Sequence, residues 1–493
     1  MKHALAIASV CALCAAPAGF AQTGIDQLGD HIFAAGYPTP EASQRLKDEL
    51  LFQSAVQTYL WALPALNMYG MKEGSEKTFG KGYNVLPVWK QRLNAKTLIT
   101  TPNSDVIYAM GYLDLKEDGP IVIEAPPGLQ GILDDFWQRP ICSEGKIEGR
   151  VWCGDVGLPG PDHGKGGKYL ILPPDFAGTP PDGYYTLRSR TYAVFVFWRG
   201  FFKNPKDLAP PVKVMEQTRI YPLGKSNSAK PMQYPDASNV PANMLFPTDG
   251  SAFDMLARFI DSEYVDPADM WMRGVAASLG IVKGKAFAPD TALRATLDRA
   301  AHVAFGMSRI VANGPGGFSK WYLDRQWRNA FPGGNPDFTA STFDQTDLRT
   351  AFFSVAYSTS PGMAVSMVGV GAKYLIAETD ADGRFLSGAN AYKLSVLKDI
   401  PAHLFWSVTV YDALTASGLD NGQPFPSLNS MDKPATNTDG STDIYFGPTS
   451  PGDGKNWLRT VPGNGYFVVL RLYGPTEPFF NQTWRASDIE KMR

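Results

Sequence analysis

The alternation of hydrophobic and polar positions divides the chain into helical and extended stretches. After Thr39-Pro40-Glu41, residues Leu46, Leu50, Ala55, Tyr59 and Leu63 recur at helical spacing. A helix is predicted there, ending near Pro64, because proline removes a backbone donor and its ring crowds the preceding turn. From Val106 the period shortens to two. Ser104-Asp105-Val106-Ile107-Tyr108-Ala109 leads into Tyr112-Leu113-Asp114-Leu115, and the segment 120–124 comes after a Glu-Asp-Gly turn, so strands joined by turns are predicted. More strands are predicted at 131–138, 168–172 and 184–198, the last with the aromatic and β-branched run from Tyr192 to Trp198.

Residues 205–247 are dense in Pro, Asn and Ser and read as loop. Helices are predicted at 251–263 and 291–311. Asp290 is placed to cap the second, with Leu293, Leu297, Ala300 and Ala304 on one face. Strand signals return at 373–378, before the hairpin turn Asp380-Ala381-Asp382-Gly383, and continue at 391–396, 403–411, 442–446 and 466–473. The expected architecture is mainly β with helical additions: a β domain over 40–205, a loop and helical insert over 206–340, and a second β domain over 341–493.

The start of the chain changes the picture of where it works. Met1-Lys2-His3 gives a positive start, 4–17 is apolar and rich in small residues, and Gly19-Phe20-Ala21 is a small-x-small site. Residues 1–21 therefore read as a signal peptide cleaved after Ala21, and the expectation is a periplasmic or secreted protein. The apolar run is short and broken by Pro17 and Gly19, so no membrane anchor is expected. Cleavage would remove Cys11 and Cys14 and leave Cys142 and Cys153, for which a disulfide is expected in an oxidising compartment; two packed thiols are the alternative. The net charge of -2, with acids and bases interspersed, argues against a nucleic-acid partner, and self-association stays open.

Several runs carry a family resemblance. Thr101-Pro102-Asn103-Ser104-Asp105-Val106-Ile107-Tyr108, Asp114-Leu115, Gly119-Pro120, Gly164-Lys165-Gly166-Gly167-Lys168-Tyr169-Leu170 and Pro173-Pro174 together resemble the bacterial domain of unknown function 1254. Phe405-Trp406-Ser407-Val408-Thr409-Val410-Tyr411-Asp412, Asp439-Gly440-Ser441, Asn456-Trp457-Leu458 and Leu470-Arg471-Leu472-Tyr473-Gly474-Pro475 resemble its usual companion, the domain of unknown function 1214. The resemblance covers most of the chain after the leader. It implies two jelly-roll-like β-sandwich domains with helical additions, similar in outline to sandwiches of some carbohydrate-active enzymes. It implies no settled reaction and no set of catalytic residues.

Candidate chemistry comes from polar residues in apolar strands. On 466–473, Tyr466, Val468, Leu470 and Leu472 share one face, and Arg471 lies opposite with Phe467, Val469 and Tyr473. A charge in so apolar a strand needs a partner, and Asp412 is the expected one, either as a structural pair or as part of a cleft that presents Arg471 to a ligand. On the neighbouring strand Trp406 faces one way and Ser407 and Tyr411 the other, giving further candidate binding residues. In the first domain Asn103 and Asp105 form either an Asx turn or, with Tyr108 behind them, a pocket mouth. Asp134 and Asp135 precede Trp137 and Gln138. Asp105 with Asp134 or Asp135 could form an acid/base pair across a glycosidic bond, with Trp137 stacking on a ring.

The histidines His31, His163, His302 and His403 lack ligand spacing, and no phosphate loop or serine elbow is present, so neither metal nor other cofactor is expected. The resulting expectation is an exported, cofactor-free hydrolase or lyase acting on a glycan or small cyclic substrate. A non-catalytic binding or surface-interaction protein is the alternative.

Overall fold

Period-two strands set the architecture, because alternate side chains on one strand serve two different environments. The computed structural model describes residues 33–313, 317–331, 334–365 and 367–493. The expected leader over 1–21, with Cys11 and Cys14, and His31 lie outside the described residues. The chain divides into two compact units, one up to Gln53 and one spanning Ser54–Arg493. The large sheets and the hydrophobic cores belong to the second unit, and the short pair Phe33–Ala34 with Tyr37–Pro38 to the first.

One five-stranded sheet runs in the order Val88–Trp89, Ile107–Asp114, Ala193–Gly200, Gln130–Asp135, Asp155–Val156. A second runs Arg219–Pro222, Ile121–Ala125, Gly167–Leu172, Tyr185–Arg188, Cys142–Ser143. A single core joins them: Ile107, Ala109, Leu133, Val194 and Val196 from the first sheet meet Ile121, Ile123, Tyr169 and Ile171 from the second. Each fully buried aliphatic side chain of this kind stabilises by about 1.5–3 kcal/mol, which is what fixes the register against a one-residue slip.

The C-terminal part repeats the scheme. A six-stranded sheet runs Ser319–Lys320, Arg328–Asn329, Ala372–Ala377, Tyr466–Pro475, Ala402–Asp412, Ser427–Asn429. A four-stranded sheet runs Asn456–Arg459, Thr442–Gly447, Tyr392–Val396, Glu490–Lys491. Leu375, Val408, Val410, Val468 and Leu470 pack against Leu394, Ile444 and Phe446 between them. Pairing is mainly antiparallel, but Gly167–Leu172 with Tyr185–Arg188, and Thr442–Gly447 with Asn456–Arg459, run parallel.

Helices and loops depart from expectation at two places. The first helix does not stop near Pro64 but spans Pro40–Phe79. Leu63, Ala65, Leu66 and Met68 are buried around the proline, and the burial offsets a helix defect of about 3 kcal/mol. The carbonyl of Pro64 accepts from Gln138 Nε2 at 2.7 Å. The segment 205–247 is not all loop. Pro210 and Pro211 open the helix Ala209–Met215, where proline's missing donor costs nothing, and Arg219–Pro222 forms an edge strand. Val212, Met215 and Ile220 complete the first core.

The helices Ser251–Ser262 and Thr291–Asn313 match their patterns, and Asp290 caps the second by accepting from the Leu293 amide at 2.8 Å. Cys142 and Cys153 are joined in a disulfide. Among the described residues no helix is long and apolar enough to cross a membrane.

Candidate functional site: a cavity between two sheets

The faces of the central strands turned away from the two cores meet each other. On Tyr466–Pro475 the core takes Tyr466, Val468, Leu470 and Leu472, leaving Val469, Arg471 and Tyr473 on the other side. On Ala193–Gly200 the core takes Val194, Val196 and Trp198, leaving Phe195, Phe197 and Arg199. Tyr108 pairs in register with Arg199 on the adjacent strand. Between these faces lies a cavity of about 70 Å³, lined by Asn103, Tyr108, Arg199, Tyr357, Tyr374 and Arg471 and by the rings of Phe318, Phe331 and Phe352. A smaller one of about 30 Å³ shares Asn103, Arg199 and Met363 with it and adds Asp155, Phe201 and Tyr473.

Arg471 is 3% exposed, yet Asp412 is not its partner. Its Nη1 donates to Thr409 Oγ1 at 3.0 Å and its Nη2 to Tyr411 Oη at 2.6 Å, and Tyr411 donates onward to the carbonyl of Pro102 at 2.5 Å. Asp412 is next to Tyr411 on the strand and so points to the opposite side. It caps the next turn, accepting from the Leu414 and Thr415 amides at 2.9 Å each. Arg199 lies against the Phe197 ring at 4.9 Å and donates to the Met363 sulfur at 3.2 Å. Among the described residues neither guanidinium makes an ion pair, and Nε of each is buried without a partner, as is Tyr357 Oη. Among the described residues no Asp or Glu lines the larger cavity.

Burial holds the phenols of Tyr108 and Tyr357 above their ordinary range, with the nearby arginines only partly offsetting it, so both remain O–H donors at neutral pH. Asp155 lies beside Arg199 at the smaller cavity. Burial pushes its carboxyl up to about 6, against the stabilising contacts of Ser360, the Gly362 amide and Arg199. The Gly362 amide donates to Asp155 Oδ2 at 2.7 Å, and any Cβ at 362 would meet Asp155 Oδ1 at 2.9 Å. Any larger residue there would have to displace the Asp155 carboxylate.

The segment that carries Tyr357 is tied in place by three buried polar side chains. Asn67 donates to the carbonyls of Phe353 and Ala356 at 3.0 and 3.1 Å, satisfying the open end of the helix Thr346–Val355. Gln138 accepts from the Ser358 amide at 2.6 Å, and Asp134 accepts from Ser358 Oγ at 2.7 Å. Ser358 adopts φ 59°, a strained conformation for a residue with a Cβ, held by these contacts. Burial keeps Asp134 well above the usual carboxylate range despite Ser358 and the Thr359 amide, which favours the neutral acid.

The residues expected to act as acid and base are therefore largely committed elsewhere. Asp105 is fully buried in a network that crosses from the N-terminal to the C-terminal sheets: Arg92 Nη2 at 2.8 Å, Ser427 Oγ at 2.7 Å and Asn429 Nδ2 at 2.7 Å. Asp135 accepts from Arg139 Nε at 2.6 Å and from the Trp137 and Arg139 amides. Neither Asp105, Asp134 nor Asp135 lines either cavity. Trp137 packs against Trp61 at 4.5 Å and Phe259 at 5.4 Å, and Trp406 lies in the C-terminal core. Both are 7% exposed or less, and neither presents a face to a ligand. Ser407 is fully buried with its Oγ unpartnered. Asn103 accepts from the Asp105 amide at 2.8 Å as in an Asx turn and also donates to Tyr473 Oη at the cavity wall.

Asn103, Tyr108 and Arg471 thus converge, with Tyr411 one bond behind. Arg199, Tyr357, Tyr374 and Asp155 join them without having been expected from the sequence. Arg199 carries a signal even so, since it ends the apolar run 192–198 as Arg471 interrupts its own strand. Among the described residues no group of three or more His, Cys, Asp or Glu is gathered to hold a metal ion.

Two family models each cover part of the cavity lining, while Phe318, Phe331, Phe352 and Tyr357 lie between their matches. Residues 83–222 match "Protein of unknown function (DUF1254)" and residues 371–477 match "Protein of unknown function (DUF1214)". The chain is a DUF1254–DUF1214 protein. The DUF1254 match contributes Asn103, Tyr108, Asp155 and Arg199 to the cavities, and the DUF1214 match contributes Tyr374, Arg471 and Tyr473. No curated protein matches the sequence. The chain is similar in fold to the VPA0106 protein from Vibrio parahaemolyticus, at 18% identity and a TM-score of 0.51, over 90% of this chain and 100% of that one. A putative uncharacterized protein from Burkholderia cenocepacia is similar at 13% identity and a TM-score of 0.38, over 92% of this chain and 96% of that one.

Proposed function

We propose that this protein is an exported, cofactor-free hydrolase or lyase that acts on a small cyclic molecule in the cavity between its DUF1254 and DUF1214 sheets. The observation that carries this reading is the lining itself: aromatic walls beside two arginines and phenol donors, the composition of a small-molecule site. Asp155, with its carboxyl pushed up to about 6, titrates close to neutral pH and suits proton transfer in either direction. Tyr108 and Tyr357 supply proton donors, and Arg199 and Arg471 supply fixed positive charge where negative charge develops. A long glycan fits this reading less well than a compact ring, because among the described residues no carboxylate pair flanks the larger cavity. Jelly-roll-like order within each pair of sheets belongs to the same proposal. So does export, which the Cys142–Cys153 disulfide and the leader-like 1–21 support.

One observation favours the rival reading of a binding protein: Asp155 lines the smaller cavity and not the larger. The test is turnover of a panel of small cyclic esters, lactones and hydroxy acids by wild type, Asp155→Asn and Tyr108→Phe. A catalytic site predicts a rate profile that bends near pH 6 in wild type and loses that bend in Asp155→Asn. Binding without turnover on the whole panel would favour the rival.

A further inference from the structure

We propose that the ligand of the inter-sheet cavity is a carboxylate with an aromatic or cyclic apolar body, its charge held jointly by Arg199 and Arg471. This deepens the proposed function and rests on that reading of the cavity as a small-molecule site.

A guanidinium is always protonated, and burying its charge without compensating groups is costly. Arg471 spends Nη1 and Nη2 on Thr409 and Tyr411, which are neutral, and keeps a buried Nε without a partner. Arg199 has a thioether, an aromatic ring and the Tyr374 phenol as neighbours, and its Nε too is buried and unpartnered. Asp155 feels the charge of Arg199, but its carboxylate is engaged by the Gly362 amide and forms no ion pair with the arginine. Two positive charges therefore face one cavity whose lining, among the described residues, has no acid.

Arg92 and Arg139 show the other arrangement. Arg92 meets Asp105 and Asp432, and Arg139 meets Asp135 and Asp266. The contrast points to a charge-assisted contact supplied by the ligand, and planar guanidinium groups suit a planar carboxylate. The rest of the lining selects the body. Phe318, Phe331 and Phe352 with Val355, Ile376 and Val469 form an apolar wall, which disfavours a strongly hydrated anion such as sulfate and favours a ring. Tyr357 Oη, also unpartnered, is a donor for one further polar atom of the ligand.

The test measures benzoate and its neutral isostere benzamide by isothermal titration against wild type, Arg471→Met and Arg199→Met, with circular dichroism confirming fold. Wild type is expected to bind benzoate at least about tenfold more tightly than benzamide, and each variant to lose about tenfold for benzoate while keeping its benzamide affinity. Should Arg471→Met fail to fold, Arg199→Met carries the test, since the Arg199 guanidinium donates to a sulfur and holds no ion pair that the fold would lose. Benzamide binding as tightly as benzoate, with both lost on blocking the cavity by Ala356→Trp, would overturn the carboxylate and leave the small-molecule site standing. Benzoate binding that both arginine variants retain would also overturn the proposal. If wild type bound neither probe, the carboxylate class and the proposed function would fall together.

Discussion

At the scale of single residues, what decides a role is which groups a side chain meets once the sheets are assembled. Asp134 and Asp155 are both buried acids, yet one stitches a strained segment and the other borders a cavity. Asp155 gives a pH prediction. Its folded-state carboxyl is raised from 3.8 to about 6, so its contribution to stability is full below about pH 3.8 and is lost as pH rises through about 6. Asp155→Asn removes that loss and should gain up to about 3 kcal/mol over wild type at pH 7.5 while gaining little at pH 4, read by urea unfolding at both pH values. Glu263, pushed up to about 7 by burial, titrates in both proteins and so cancels in the comparison. Asp134→Ala strips Ser358 Oγ and the Thr359 amide of their acceptor and should cost about 1–3 kcal/mol, whereas Asp134→Asn, which keeps an acceptor and is neutral, should cost less.

At the scale of elements, the period of two carries through from sequence to sheet. Leu470 and Leu472 against Val469 and Arg471, and Trp406, Val408 and Val410 against Ser407, Thr409 and Tyr411, fall on the faces their alternation predicts. Local pattern fails where a distant element decides the outcome. Pro64 reads as a helix end because its own turn loses a donor, but helix burial and Gln138 keep the helix going. Asp412 is a plausible mate for Arg471 on adjacent strands by sequence alone, although strand pleat sends the two to opposite sides. The partners of Asp105, Ser427 and Asn429, lie 322 and 324 residues along the chain, beyond any spacing rule. A sheet-level prediction concerns Gly131, whose added Cβ would lie 2.0 Å from the Trp198 ring of its register partner. Gly131→Ala should destabilise by about 3 kcal/mol in thermal or urea unfolding, while Gly145→Ala, which meets nothing within 4 Å, should be near neutral.

At the scale of the whole second unit, the DUF1254 and DUF1214 sheets are joined by buried polar contacts as well as by the cavity they enclose. Arg92, Asp105, Ser427, Asn429 and Asp432 form one crossing network, and Asn103 with Tyr473 and Tyr411 with the Pro102 carbonyl form another. Both halves should therefore unfold in one calorimetric transition, and Asp105→Ala, which leaves a buried Arg92 short of a partner, should cost about 3–5 kcal/mol. Two separate transitions in wild type would contradict the coupling. At the same junction the two halves together build a site for a small organic anion, and a crystal structure of the wild-type protein grown with benzoate tests that claim most directly. The carboxylate is predicted to lie within hydrogen-bonding distance of both Arg199 and Arg471, with the ring against Phe331 and Phe352; benzoate bound anywhere else, or turned with its ring toward the arginines, would contradict it.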